Sequence, residues 1–487
     1  MRPDWRCGVE FTGRAADLAT LDGQLRTVTA GEGGTRGRAV IITGRRRVGK
    51  SRLMQEFCDR SGLPYTVFQA TRGRNSTAER EDFTSTLAQS ALAGADLVAG
   101  APAPDWNQAL RSLAIAVPDD APSIAVIDEV PWLVEQDREF EGALQTVWDR
   151  YLSAKPVLLV LVGSDMSVME SLQTYGRPFF GRAAKMTVRP LHLADVQAMT
   201  GLSAAEAVDA LLITGGFPEL VQTWRPGLSR AEFLAEALDN PLSPLLVAGE
   251  LSLLGEFPEA SQSRAVLEAV GSGERSFSAI AQRAGGATPL ASGTLSPILN
   301  TLLSKRVVAT DLPLSTRPDT KNKRYRVADP YLRFWLAFLA RAIPLVERGR
   351  GDVAMRRIER SWTAWRGRAV EPVVREALLR MLPDDEWPAT EAVGGWWNRQ
   401  NNPEIDLIGA DREPVAGGVH FVGSVKWLEN QPFGRREYDA LVRDMLAVPG
   451  TSPDTPLVAV SRSGVTDGLP LAAHWGPDDL VRAWRVR

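Results

Sequence analysis

Residues 44–51, GRRRVGKS, set two glycines, a lysine and a serine at the spacing GxxxxGK[ST]. Backbone N–H groups in such a turn can curl around phosphate oxygens, the lysine can reach the β- and γ-phosphates, and the serine hydroxyl can ligate Mg²⁺. On that chemistry Gly44, Arg45, Arg46, Arg47, Val48, Gly49, Lys50, Ser51 and Arg52 form a candidate phosphate cradle. Residues 123–133, SIAVIDEVPWL, run apolar into Asp128 and Glu129. An acid at the end of a buried strand can hold Mg²⁺ with Ser51, and a glutamate beside it can orient and deprotonate a water. The spacing therefore implies ATP and Mg²⁺, with Lys50 and Glu129 as candidate catalytic groups. Ser164, in the stretch PVLLVLVGSD, is placed either to contact the γ-phosphate or lytic water or to cap a helix. Arg182, with Arg177 in reserve, precedes a short strand and is the candidate guanidinium for γ-phosphate charge, in its own subunit or a neighbour's.

The elements that must position these groups follow from hydrophobic pattern. Ala39, Val40, Ile41 and Ile42 read as a buried strand, and Lys50 and Ser51 open a helical pattern. Further strands are expected at 65–70, 123–128, 156–163 and 184–188, with helices between them. Strand and helix in alternation predict a doubly wound, mostly parallel sheet with nucleotide at the strands' C-terminal ends. Ahead of the loop, Gly13 and Arg14 lead into an amphipathic stretch that either frames the base or is an ordinary surface helix. Residues 31–37, GEGGTRG, read as a flexible connector.

A chain of 487 residues exceeds one ordinary core, so two to four domains are expected. The 44% hydrophobic and 24% charged content is that of a globular chain, which leaves fibrous and disordered classes aside. No stretch reaches the roughly 18 continuous apolar residues of a membrane span, and the N-terminus lacks a signal-peptide apolar region, so a cytoplasmic protein without a membrane partner is expected. Two cysteines and three scattered histidines do not suffice for a disulfide framework or a His-based metal site, and Cys58 reads as core. A net charge of −3 excludes a uniformly basic surface but leaves room for a local basic patch.

FTGR, GRRRVGKS, VIDEVPWL, LVGSD, GRAAKMTVRPL and GGFP occur in one order over the first half of the chain. In this the sequence resembles the archaeal-type ATPases of the STAND branch of P-loop NTPases, relatives of AAA+ proteins. The resemblance implies a helical lid with Gly216 and Pro218 forming a GxP element near the base, ATP-dependent switching, and self-assembly into a homo-oligomer. It divides the chain into an ATPase core (1–192), a lid (193–260), a winged helix-turn-helix (261–330), a helical connector (331–365) and a C-terminal domain (366–487).

In the middle, three helical patterns precede a hairpin carrying Lys321, Lys323, Arg324 and Arg326. That layout would set residues 294–305 in a major groove and the basic hairpin over phosphates, so DNA is the expected partner through 294–326 and the C-terminal domain. Inside such ATPases the same module also serves as a protein contact. Tyr331, Phe334, Trp335 and Phe338 share one helical face and read as core. In the C-terminal domain Glu371 on a helix, Asp406 on one strand and Lys426 on the next resemble a PD-(D/E)xK restriction-endonuclease core, an α/β fold in which two acids hold Mg²⁺. Ser424 stands where that pattern has its second acid, so either a retained nuclease or an inactive binding remnant fits. Glu404 is nearby in sequence and would share the face of Asp406 on a regular strand. The function expected is an ATP-hydrolysing switch acting on DNA, and the alternative is a nucleotide-gated scaffold or regulator that neither binds nor cuts DNA.

Overall fold

A computed structural model describes residues 11–30, 37–256 and 261–485, in two compact units, 1–190 and 191–487. The connector at 31–37, apart from Gly37, and Cys7 lie outside the described residues.

The first unit is built on a five-stranded parallel sheet. Its strands are β1 (Arg38–Thr43), β2 (Tyr65–Gln69), β3 (Ser123–Asp128), β4 (Val157–Gly163) and β5 (Ala183–Thr187), in the order β2-β3-β4-β1-β5. Every residue of β3 and β4 is buried, which follows from their unbroken apolar runs and requires cover on both faces. On one face Phe68, Phe83, Trp106 and Phe140 meet edge to face in sequence, with centroids 5.0, 5.8 and 5.0 Å apart. The strand order sets β4 between β3 and β1, with Thr43 level with Gly163 and Ile127 level with Leu161. The C-terminal ends of three adjacent strands thus present residue 44 onward, Asp128 and Ser164 along one edge. Cys58 is buried in the helix Lys50–Ser61, and burial pushes its thiol up to about 12, so it is packing and not chemistry.

The second unit begins with five helices, from Leu193–Thr200 to Pro244–Glu256. The helix Ala204–Thr214 ends on Gly215 and Gly216, both at positive φ, and Pro218 opens the next helix, Pro218–Thr223. A side chain on Gly216 would overlap the carbonyl of Leu191, whose N–H donates to Gly216 O at 2.8 Å. That close approach is why glycine stands there. Three helices (Ser261–Gly271, Phe277–Gly285, Ser292–Ser304) and the antiparallel hairpin β6 (Val308–Asp311) and β7 (Arg324–Val327) follow. Tyr331, Phe334 and Trp335 are buried as their spacing predicts, and Phe338 is half-buried.

Gly351–Met381 is one helix of 31 residues that contains Pro372. The expected boundary at 365/366 therefore falls inside a helix and not in a linker, because the sequence pattern on either side of it belongs to one continuous apolar face. The last sheet is mixed, β8 (Ala392–Trp397), β9 (Glu404–Ala410), β10 (Val419–Lys426), β11 (Leu457–Ser461) and β12 (Ala473–Trp475), in the order β12-β11-β10-β9-β8.

A buried charge cluster ties this sheet to the five-helix segment. Asp209 accepts from Arg366 at 3.0 Å and from Arg462 at 2.9 Å, while Arg366 also donates to Glu429 at 2.8 Å and to Trp427 O at 3.1 Å. Burial pushes the Asp209 carboxyl up, and the Arg462 and Arg366 guanidiniums pull it back toward the charged form. Removing the acid leaves Arg462 without a paired carboxylate and the buried Arg366 with the exposed Glu429 alone. Asp209→Ala should therefore cost about 3–5 kcal/mol in urea unfolding; a change below about 1 kcal/mol would show that solvent reaches the cluster.

Candidate functional site

The phosphate cradle starts where β1 ends. A side chain on Gly44 would collide with the Val188 carbonyl, so the chain turns there only as glycine. Gly49, at φ 87°, sits in the left-handed region and caps the helix Lys50–Ser61, whose free N–H groups open onto the loop. Lys50 is buried, with its ammonium donating to Gly44 O at 2.9 Å and Arg45 O at 3.1 Å. Burial holds that ammonium below the usual lysine range, against Glu129 and Asp128, which raise it.

Ser51 Oγ donates to Asp128 Oδ2 at 2.6 Å, so the two expected Mg²⁺ ligands converge on one point. Asp128 Oδ1 accepts from the Glu129 N–H at 2.8 Å. Glu129 itself is at φ 56°, ψ 41°, a left-handed conformation that costs a non-glycine residue about 1–3 kcal/mol. Its carboxylate accepts from Ser164 Oγ at 3.0 Å. The capping role open to Ser164 is taken by its neighbour. Asp165 caps the helix Met166–Ser171 by accepting from Ser167 and Val168, and Ser164 serves the glutamate.

Two hard oxygen ligands at one point suit Mg²⁺, which commonly takes only one or two protein oxygens and completes its octahedron with water and substrate phosphates. Among the described residues no group of three or more His, Cys, Asp or Glu side chains could hold a metal ion by itself, in keeping with a site that relies on phosphate oxygens.

Arg182 does not serve the loop of its own chain. Ala183 pairs with Ala39 at the start of β1, so Arg182 lies at the sheet's N-terminal edge, about 20 Å along the strand from Gly44. There it forms a bidentate pair with Asp149, 2.7 Å at both nitrogens, and donates to Pro178 O and Phe180 O. Arg177 pairs with Glu141 at 2.6 Å. Both guanidiniums are thus engaged by carboxylates of their own chain. Arg52, on the first turn, pairs with Glu56 at 3.6 Å.

Arg14 has a place that pattern did not supply. It is buried, and its guanidinium donates to Val48 O within the loop and to Arg189 O at 2.6 Å, past the end of β5. Instead of a surface residue it is a clamp on the loop. Trp132, just after Asp128 and Glu129, lies under two guanidiniums, Arg72 at 4.9 Å and Arg46 at 5.7 Å. Such contacts join side chains to backbone carbonyls or rings far along the chain, and only the Gly13-Arg14 pair ahead of the loop hinted at one.

Gly216 and Pro218 belong to the second unit, where Gly216 packs on Leu191 as described above.

The C-terminal triad is brought together but not as a metal site. Arg375 places its guanidinium between the two acids, donating to Asp406 O at 2.9 Å and lying 3.5 Å from Glu371 Oε2. The Asp406 carboxylate accepts from Ser424 Oγ at 2.9 Å and from the Val425 N–H at 2.8 Å. Burial pushes both carboxyls up, against Arg375 for Glu371 and against Val425 and Ser424 for Asp406. Glu404 is paired with Arg324 and Arg275. Lys426 shares the β10 face of Ser424, two residues on. Ser424 and the Val425 N–H are thus donors to the Asp406 carboxylate, while Arg375 bridges the Glu371 carboxylate and the Asp406 main-chain carbonyl.

Residues 25–224 match a family of ATPase domains found predominantly in Archaea, and residues 335–438 match a family of archaeal and bacterial proteins of unknown function. The first match spans the cradle, Asp128 and Glu129, so the chain carries an ATPase domain of P-loop type. An uncharacterised protein of Methanocaldococcus jannaschii is 22% identical over 374 residues, 76% of this chain and 79% of its own. The Walker-type ATPase of Pyrococcus abyssi shares the fold with a TM-score of 0.50 at 18% identity, over 67% of this chain and 96% of its own. The ORC2 protein of Aeropyrum pernix, solved with ADPNP and ADP, aligns with a TM-score of 0.45 at 13% identity, over 70% of this chain and 95% of its own. Among the described residues no single helix is long and apolar enough to cross a membrane.

The geometry of the C-terminal triad predicts that the full chain does not cleave plasmid or single-stranded DNA with Mg²⁺, with or without ATP. Cleavage that disappears in Lys426→Ala would show that Arg375 yields its place to a metal.

Proposed function

We propose that the chain is a STAND/AAA+-like molecular switch that binds and hydrolyses ATP and acts on DNA through its second unit. One observation carries the catalytic part: Ser51 and Asp128 meet at 2.6 Å, with Glu129 next in sequence and held by Ser164. Lys50 would exchange the carbonyls of Gly44 and Arg45 for β- and γ-phosphate oxygens. Ser51 and Asp128 would hold Mg²⁺, which supplies charge neutralisation at the transferred phosphoryl group. Glu129 accepts the proton of the attacking water as its oxygen bonds to the γ-phosphorus and the bond to the β–γ bridging oxygen breaks, giving ADP and phosphate. The strained Glu129 backbone and its Ser164 partner hold that carboxylate ready, and Ser164 is the residue positioned to sense the γ-phosphate. Arg14 fixes the loop from behind.

In the second unit, residues 261–330 have the order of a winged helix, and 366–487 that of a PD-(D/E)xK-type core turned to binding. Assembly into a homo-oligomer fits the same reading, since Arg182 stands at the opposite end of the sheet from its own loop, and an arginine for the γ-phosphate would come from a neighbour. The alternative of a regulator without DNA has one observation in its favour. Of the stretch 294–305 expected in a groove, the exposed residues are Ser296, Pro297, Asn300, Thr301 and Ser304, with one cation, Lys305, at its end. The two hairpin arginines expected on phosphates are engaged as well, Arg324 with Glu404 and Arg326 with Asp311.

Lys50→Ala should abolish ATP binding, measured by equilibrium binding of a fluorescent ATP analogue. Glu129→Gln should bind ATP normally but turn it over about 10²–10⁴-fold more slowly, measured by phosphate release. Full turnover in Glu129→Gln would remove the glutamate from the reaction.

A further inference from the structure

Residues 273–279, which lead into and open the helix Phe277–Gly285, border an open cleft of about 840 Å³ within the second unit, together with the tip of the β6–β7 hairpin, Arg368 and the β8–β9 turn. Lys321, Lys323, Arg368 and Arg399 line it, and among the described residues none of the four pairs with a carboxylate. Two acids also line it, Glu274 and Glu404, and the latter is neutralised by Arg324 and Arg275. A chain with net charge −3 thus gathers free cations in one concavity, where low-dielectric walls focus the field on whatever enters. The helix Phe277–Gly285 begins in its wall, capped by Ser276, so first-turn N–H groups add their dipole to the same field.

The ligand chemistry follows from that lining. The cleft offers donors and positive charge, as phosphate oxygens require. Its volume is that of a small-ligand pocket, enough for about two nucleotides and not for a duplex. Trp397, in the same wall, is covered on one face by Arg324, 4.0 Å from the ring centroid, so phosphates and not stacked bases are what the walls address.

We infer that this cleft binds the phosphates of a phosphodiester-linked nucleotide chain, and that the charge-free helix Ser292–Ser304 does not. This rests on the reading that the second unit engages nucleic acid, and it names the surface. The shared chemistry has two sources, one strand of nucleic acid or a free dinucleotide.

The full chain is titrated by fluorescence anisotropy with labelled oligothymidylate, labelled duplex DNA and unlabelled pTpT as competitor. The strand should bind with a salt slope that reports several released counterions. In Arg368→Glu/Arg399→Glu, binding should weaken at least about tenfold with a shallower slope, while ATP turnover in the first unit is unchanged. Lys321→Ala/Lys323→Ala, at the hairpin tip, should do the same to a lesser degree, which covers the event that the reversal variant does not fold. Competition by pTpT at low concentration would assign the free dinucleotide, and its failure to compete would assign the strand; both support the cleft. Strand binding untouched by both double variants, or lost instead in Asn300→Asp, would overturn the cleft and leave DNA action standing. Binding of duplex alone, undiminished in the double variants, does likewise. If wild type binds none of the three, cleft and DNA action fall together.

Discussion

Everything the first unit can do depends on one short contact between residues 77 apart, the 2.6 Å bond from Ser51 to Asp128. Neither residue has a local reason to be near the other. They meet because β4, a strand of seven buried residues, lies between β1 and β3 and holds their ends level. Hydrophobic burial on both faces of β4 therefore fixes the position of a polar pair that contributes nothing to burial itself. The same alignment puts Ser164, one residue beyond β4, against Glu129, so a single strand spaces the acid, the hydroxyl and the loop.

Arginine does the complementary task in the second unit. Arg375 stands between Glu371 and Asp406, Arg366 and Arg462 converge on Asp209, and Arg324 and Arg275 on Glu404. Each guanidinium offers several N–H groups in a fixed plane and can satisfy an acid and a main-chain carbonyl together, which the point charge of a lysine does less readily. In the C-terminal sheet the acids are thereby tied into a bonded framework, in which Ser424 is a donor to Asp406.

How much of this the chain's letters disclose varies with the range of the interaction. The loop at 44–51, Asp128 with Glu129 and the parallel sheet were legible because turn geometry and strand burial are local and leave periodic marks. The aromatic face at Tyr331, Phe334 and Trp335 was legible for the same reason. Which loop Arg182 could serve was not legible, because a residue's place before a strand does not say which end of the sheet that is; only the pairing of Ala183 with Ala39 decides it. Arg14 and Arg375 were not assigned their contacts because their partners include main-chain carbonyls, which every residue has and no motif marks.

The helix Gly351–Met381 has a mechanical consequence. Its 31 residues make a rod of about 46 Å, and Arg366, midway along it, is the residue anchored to Asp209. The rod is held at other points too, Glu359 by Arg230, Arg368 O by Arg333 and Arg375 on Asp406 O, so one continuous helix laces the five-helix segment, the aromatic connector and the last sheet together, and none of the three can shift without loading the same backbone.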